Sequence, residues 1–165
     1  MRVDAKVDFA FQNPGGMRAD LNQGPITRGE VYAVMPFDNT IVTLSLTGAQ
    51  VKQALEQSLR GNRVTQVSGL KYVLVPSGTR WGLGAVTLPD GTPLDDAKTY
   101  TVAVNNFMAS GGDQYNVLAG ARSTDTGRMI RDAMEAYIRA RCAGGKSLDV
   151  PGDGRITRSD GKTSE

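Results

Sequence analysis

The sequence predicts an α+β domain, and three observations carry that reading. Segments at 7–12, 40–46, 69–76 and 99–104 alternate apolar and polar residues at strand spacing. Two longer stripes, following Thr47 and Thr126, repeat at helical spacing. Glycine- and proline-rich turns separate these segments, without an internal repeat or a long linker. A chain of 165 residues with 39% hydrophobic content suffices for one domain with its own core.

The first strand spans 7–12, with Val7, Phe9 and Phe11 opposite Asp8, Ala10 and Gln12, which predicts burial on one face. Pro14 and the Gly15-Gly16 pair stop it. After the Gly24-Pro25 turn, Thr27 and Glu30 have the spacing of a capping box, so a short helix is expected over 28–34, ending before Pro36. A strand over 40–46 places Val42, Leu44 and Leu46 together. Thr47 and Gln50 then open a scaffold helix with Val51, Ala54, Leu55, Ser58 and Leu59 on its stripe, stopped by Gly61. Residues 69–76 form the next strand, with Leu70, Tyr72 and Leu74 on one face. Trp81 lies in a glycine-rich connection and reads as a hydrophobic cover. Residues 85–94, with a Pro89-Asp90-Gly91-Thr92 turn, read as a hairpin region. A last helix is expected over 126–141, its stripe made of Met129, Ile130, Ala133, Met134, Tyr137 and Ile138. Residues 158–165 form a polar tail.

Composition narrows the chemistry. The net charge is +2 with bases scattered among acids, which argues against a dedicated nucleic-acid surface. No apolar run reaches the ~20 residues of a membrane-spanning helix. The single cysteine, Cys142, cannot form an internal disulfide, and without histidine nothing nearby activates it. The absence of histidine also removes the commonest general base and the usual ligand of hydrolytic metal centres. Residues 149–160 partly imitate a calcium loop, but Pro151 stands where a ligand is expected and no second helix follows. Hydrolysis and metal binding are therefore not expected of this chain alone.

The stretch VAVNNFMASGGDQYN, residues 102–116, organises the rest. Its strand ends at Asn105-Asn106, both poor strand residues, and leads into Phe107, Gly111-Gly112 and Asp113. These are the parts of a small-ligand rim, in which the ring offers a flat face and the carboxylate two acceptors suited to a vicinal diol. They are equally the parts of a hydrophobic plug and a capped turn. Similar alternatives stand for Phe37 (core side chain or stacking ring), Arg18 (surface arginine or phosphate fork) and Gly69 (turn or backbone contact). With two loop phenylalanines, a clamp around a planar base becomes possible.

Three segments taken together, Phe11-Gln12-Asn13-Pro14-Gly15-Gly16-Met17-Arg18, Pro36-Phe37-Asp38-Asn39 and Asn106-Phe107 through Gly111-Gly112-Asp113, resemble the C-terminal, substrate-binding domain of the 5'-nucleotidase family. The resemblance runs over 8–156. It implies a layered domain of mixed sheets with helices packed outside, over 1–157. It implies that Phe37 and Phe107 clamp the base and Asp113 accepts the ribose hydroxyls. Asn13, Asn39 and the backbone near Gly69 would contact base edge or sugar, and Arg18 would reach toward the phosphates. Catalysis and two divalent metal ions are expected in a separate N-terminal metallophosphoesterase domain that this chain lacks, so the expected partners are a nucleoside or nucleotide and that domain. A helix before the first strand, which would supply another substrate arginine, is also missing from the pattern. The chain thus reads as part of a secreted, periplasmic or cell-envelope nucleotidase; a stand-alone nucleoside-binding or structural module is the alternative.

Overall fold

The computed structural model describes residues 1–150 and 152–160. Two mixed sheets form the frame. The larger contains β1 (Phe9–Gln12), β2 (Thr40–Thr47), β3 (Gln66–Ser68), β6 (Thr99–Asn105) and β7 (Ser123–Met129), in the order β3-β1-β6-β2-β7. Only the β1–β6 pair in it is parallel. The smaller sheet, β5-β4-β8, joins β4 (Lys71–Ser77) to β5 (Arg80–Thr87) antiparallel and to β8 (Ile156–Arg158) in parallel.

The main core lies between the two sheets and the scaffold helix α3 (Gly48–Arg60). Phe9, Phe11, Leu44, Leu46 and Val102 meet Val51 and Leu55 of the helix and Tyr72 and Leu74 of β4. The opposite face of the large sheet carries a smaller core of Ala10, Ile41 and Ala103, covered by Ile130 and Ala133 of α6 (Ile130–Arg141). The first strand is therefore buried on both faces, not one, because elements pack on each side of the large sheet. A one-turn helix, α1 (Arg2–Ala5), precedes it, with Met1, Ala5 and Val7 against the smaller core. The motif pattern did not lead to that helix. Two more one-turn helices follow β6, α4 (Asn106–Ala109) and α5 (Asn116–Ala119). The second docks on α3, where the Val117 N–H donates to Gln57 Oε1 at 3.2 Å.

Both capping boxes form where the spacing places them. Thr27 opens α2 (Arg28–Val34) with Glu30, and Thr47 opens α3 with Gln50. Three elements differ from the sequence reading. The glycine-rich connection around Trp81 is strand β5, in which Gly82 and Gly84 lie close against Val75 and Val73 of β4. Trp81 is partly buried against the core, with the Arg158 guanidinium 4.6 Å from its ring centroid. The expected last helix loses its first turn to β7. There the Thr126 hydroxyl donates to the Ile41 carbonyl at 2.7 Å, and Gly127 takes φ +68, outside helical space. The polar stretch is tied in further than expected. Arg158 belongs to β8 and the Ser159 N–H donates to the Leu74 carbonyl at 2.8 Å. Residues 161–165 of the expected tail, and Pro151, lie outside the described residues.

Two buried phenols share one threonine. The Tyr72 hydroxyl donates to the Thr65 carbonyl at 2.7 Å, and the Tyr115 hydroxyl lies 2.7 Å from the Thr65 hydroxyl. Burial pushes the pKa of both phenols upward. Folding then holds protons that the unfolded chain loses above about pH 10, so this stability is complete below that pH and drains as pH rises toward the folded values. Urea midpoints should be level to about pH 10 and then fall, each phenol contributing up to about 1.4 kcal/mol per pH unit. Tyr72→Phe should flatten that decline; an undiminished alkaline loss in the variant would refute the assignment.

Candidate functional site

Three strand ends converge at one edge of the large sheet. The parallel register pairs Ala10 with Ala103, which brings Gln12 level with Asn105. The antiparallel register pairs Ile41 with Asn105, so the chain entering β2 through Phe37 and Asn39 runs beside the chain leaving β6 through Phe107. The three motif loops therefore meet although more than ninety residues of sequence separate the first from the last.

A buried polar network closes this edge. Asn105 ends β6 and caps α4 by accepting the Met108 N–H at 2.7 Å. Its amide donates to Asn13 Oδ1 at 2.8 Å, and Asn13 Nδ2 donates to Asp113 Oδ2 at 2.7 Å. Gln12 joins through longer bonds to Asn13 and Asn105. Asp113 Oδ1 faces Arg63 Nη2 at 3.5 Å. Gln12, Asn13 and Asn105 are buried, so Asn13 holds the carboxylate rather than presenting an open edge to a ligand. Asp113 keeps partial exposure and sits at φ 55, a left-handed conformation more accessible to Asp than to most residues. An ionised carboxylate has about four acceptor sites. Asn13 and Arg63 occupy two of these, which leaves acceptor capacity on both oxygens for an incoming pair of hydroxyls.

Beside the carboxylate stands Phe107, on α4 rather than in a loop, with its ring 46% exposed. The ring lies flat against Gly112: a Cβ there would come within 2.5–2.6 Å of three ring atoms. Gly111 supplies the turn with φ 88. The glycine pair thus serves two purposes, a left-handed turn and a seat for the ring. Phe37 is 48% exposed and is therefore not a core side chain. Among the described residues, no ring-to-ring contact joins Phe37 and Phe107. Asn39 is half-buried; its carbonyl accepts the Ile130 N–H at 3.0 Å, and its side chain has no partner among the described residues.

The remaining candidates are placed differently. Arg18 is exposed, and its backbone N–H donates to the Val34 carbonyl at 3.0 Å. Its guanidinium has no partner among the described residues. Gly69 lies away from this edge, at the other end of β1. Its φ is +92, and a Cβ would come within 2.2 Å of the Asp8 carbonyl oxygen, so the glycine serves close backbone packing there. Sequence reading passed over Gln12, Arg63 and Asn105 as network members. The signal for Asn105 was present, since a fully buried amide at a strand end needs partners. Nothing local marks Arg63.

Among the described residues, no group of three or more Asp, Glu, His or Cys side chains could hold a metal ion. Asp153 of the calcium-like stretch pairs with Arg155. No described helix is long and apolar enough to cross a membrane. The described residues thus present two half-exposed rings, a carboxylate with spare acceptor capacity and an unengaged guanidinium.

Comparison with known proteins agrees with the motif resemblance. The family model described as "5'-nucleotidase, C-terminal domain" matches residues 1–120. The chain is 33% identical over 165 residues to the cell wall protein Lmo0130 of Listeria monocytogenes, covering 93% of this chain and 21% of that protein. It is 41% identical over 123 residues to the trifunctional nucleotide phosphoesterase protein YfkN of Bacillus subtilis, covering 68% of this chain and 8% of that protein. The crystal structure of a 5'-nucleotidase precursor from Thermus thermophilus superposes with a TM-score of 0.83 at 38% identity, over 95% of this chain and 32% of that one. The chain therefore spans a third or less of the length of each of these proteins.

Proposed function

This chain belongs to the 5'-nucleotidase C-terminal domain family, and from that premise we propose that it binds the nucleoside part of a nucleotide within a longer phosphoesterase. The observation that carries the proposal is the sheet edge where the loops of two half-exposed phenylalanines meet that of a carboxylate with spare acceptor capacity. Phe37 and Phe107 hold the base from its two faces, a contact that tolerates base identity because every base has a π-face. Asp113, held by Asn13 and Arg63, accepts the two ribose hydroxyls. Asn39 offers an unpartnered amide to base or sugar, and Arg18 a fork of donors to the phosphates.

Bond cleavage belongs to another domain of the parent protein. A pair of divalent metals there would generate the attacking hydroxide and neutralise charge on the phosphoryl group. The ligand-binding edge described above supplies orientation only. The likeness to a cell wall protein supports a parent exported to the cell envelope.

The test is a metal-free calorimetric titration of the purified chain with adenosine, AMP and 2',3'-dideoxyadenosine. Adenosine and AMP should bind with similar affinity, since phosphate contacts here are few. Asp113→Asn should weaken adenosine by roughly tenfold, the cost of a hydrogen bond to a charged group, and leave the dideoxy analogue unchanged. Equal losses for both ligands would remove Asp113 from the ribose site, and no binding by the wild-type chain would overturn the proposal.

A further inference from the structure

The sequence marks only an apolar stripe on helix α6, yet the first turn of that helix holds the loop that carries Phe37. The loop leaves α2 at Met35 and enters β2 at Thr40, and Pro36 in its middle has no N–H to donate. Five consecutive residues, 35–39, therefore lie outside any helix or strand, with the half-exposed Phe37 among them.

Arg131 meets that need. Its Nη1 donates to the Met35 carbonyl at 3.1 Å and to the Phe37 carbonyl at 3.4 Å, while Nη2 lies 2.8 Å from Asp38 Oδ1. The guanidinium carbon sits 4.4 Å from the centroid of the Tyr32 ring on α2. Ile130, the preceding residue, donates its N–H to the Asn39 carbonyl at 3.0 Å. The Arg131 side chain is only 19% exposed, whereas Asp38 is 72% exposed. The bond to the Met35 carbonyl is thus the sheltered part of the contact, while the bond to the Phe37 carbonyl and the ion pair face water. A planar fork fixed on one side by a ring and on the other by two carbonyls leaves the intervening backbone little freedom.

We propose that Arg131 is a positioning residue for nucleoside binding, one that sets the height and angle of the Phe37 ring over the base. The proposal rests on the reading of Phe37 as a stacking ring. Arg131 touches no ligand; it acts through the loop. Losing it frees the ring to sample positions that do not stack, and affinity falls in proportion to the competent fraction.

The experiment compares Arg131→Ala, Arg131→Lys and Asp38→Asn, each with and without Phe37→Ala, by adenosine titration and thermal unfolding. A parallel set carries 4-fluorophenylalanine at position 37, observed by fluorine NMR without ligand. Arg131→Ala should weaken adenosine roughly tenfold in the wild-type background and less than about twofold beside Phe37→Ala. Arg131→Lys should recover less than half of the loss on a logarithmic scale, since an ammonium lacks the guanidinium's rigid, planar fork. Asp38→Asn should bind nearly as wild type, because exposed ion pairs contribute little. The fluorine signal should shift and narrow in Arg131→Ala as the ring gains freedom. An equal loss in both backgrounds, or full rescue by lysine, would overturn the proposal. Should the wild-type chain not bind adenosine, the functional reading falls, and an unchanged fluorine signal in Arg131→Ala would bring down the positional inference separately.

Discussion

The Phe37→Ala/Phe107→Ala double variant is expected to lose most nucleoside affinity while remaining folded. Each base–aromatic stack contributes roughly 1–3 kcal/mol, so removing both should cost roughly 2–6 kcal/mol, at least thirtyfold in Kd. Both rings are about half exposed, at 48% and 46%, and neither belongs to a buried core cluster. Truncating them gives up about half the area that a core phenylalanine would, and the urea midpoint should fall by less than a core Phe→Ala change produces. Phe107→Ala also empties the seat above Gly112, where water can enter without leaving a closed cavity. Each single variant should lose part of the affinity. Retention of wild-type affinity in the double variant, by calorimetry at the same salt and pH, would dismiss the clamp.

The largest stability effect is expected at Asn105. Its side chain caps α4, holds Asn13 and contacts Gln12, and it is fully buried. Asn105→Leu keeps the branching and heavy-atom count of the side chain and removes every one of these bonds. The Met108 N–H loses its acceptor, and Asn13 Oδ1 keeps only the longer bond from Gln12, both in a buried environment. The cap accounts for about 1 kcal/mol and each stranded polar group for about 1–3 kcal/mol, giving a loss near 3 kcal/mol. The variant should also bind adenosine weakly, because Asn13 no longer holds Asp113 in place. Urea unfolding checks the first effect and titration the second. A stability loss below about 1 kcal/mol would mean that the network is dispensable.

The sequence made the frame legible wherever one face of an element meets the core. The two threonine capping boxes could be read because each is closed by residues three apart, and both form as spaced. Strand β7 left no trace for the opposite reason. Its residues 123–127 are exposed at a sheet edge, so the core imposes no alternation on them. Strand β5 was hidden by Gly82 and Gly84, which read as connection and are selected by close approach to β4.

At the site, the contrast is between chemistry and geometry. Phe37, Phe107 and Asp113 stood out because their residue types suit a ligand rim, and the structure places them at one edge. Arg63 and Arg131 did not, because their roles exist only after folding brings them against Asp113 and the Phe37 loop. Gly69 stood out as a glycine just before a strand, open to a turn or a backbone contact; its positive φ and the Asp8 carbonyl account for it without a ligand.

The parallel pairing of β1 with β6 also bears on how the chain is made. Phe9 aligns with Val102, so the central partner of the first strand is synthesised more than ninety residues after it. At 5–20 residues per second the ribosome takes about 5–20 s to deliver that partner. Throughout that interval the Phe9-Ala10-Phe11 strand, destined for burial on both faces, lacks the neighbour along its length. Such a strand can pair with the same segment of another nascent chain. Translation speed and chaperone capture, rather than the equilibrium stability of the finished domain, would then set how much of it reaches the native state.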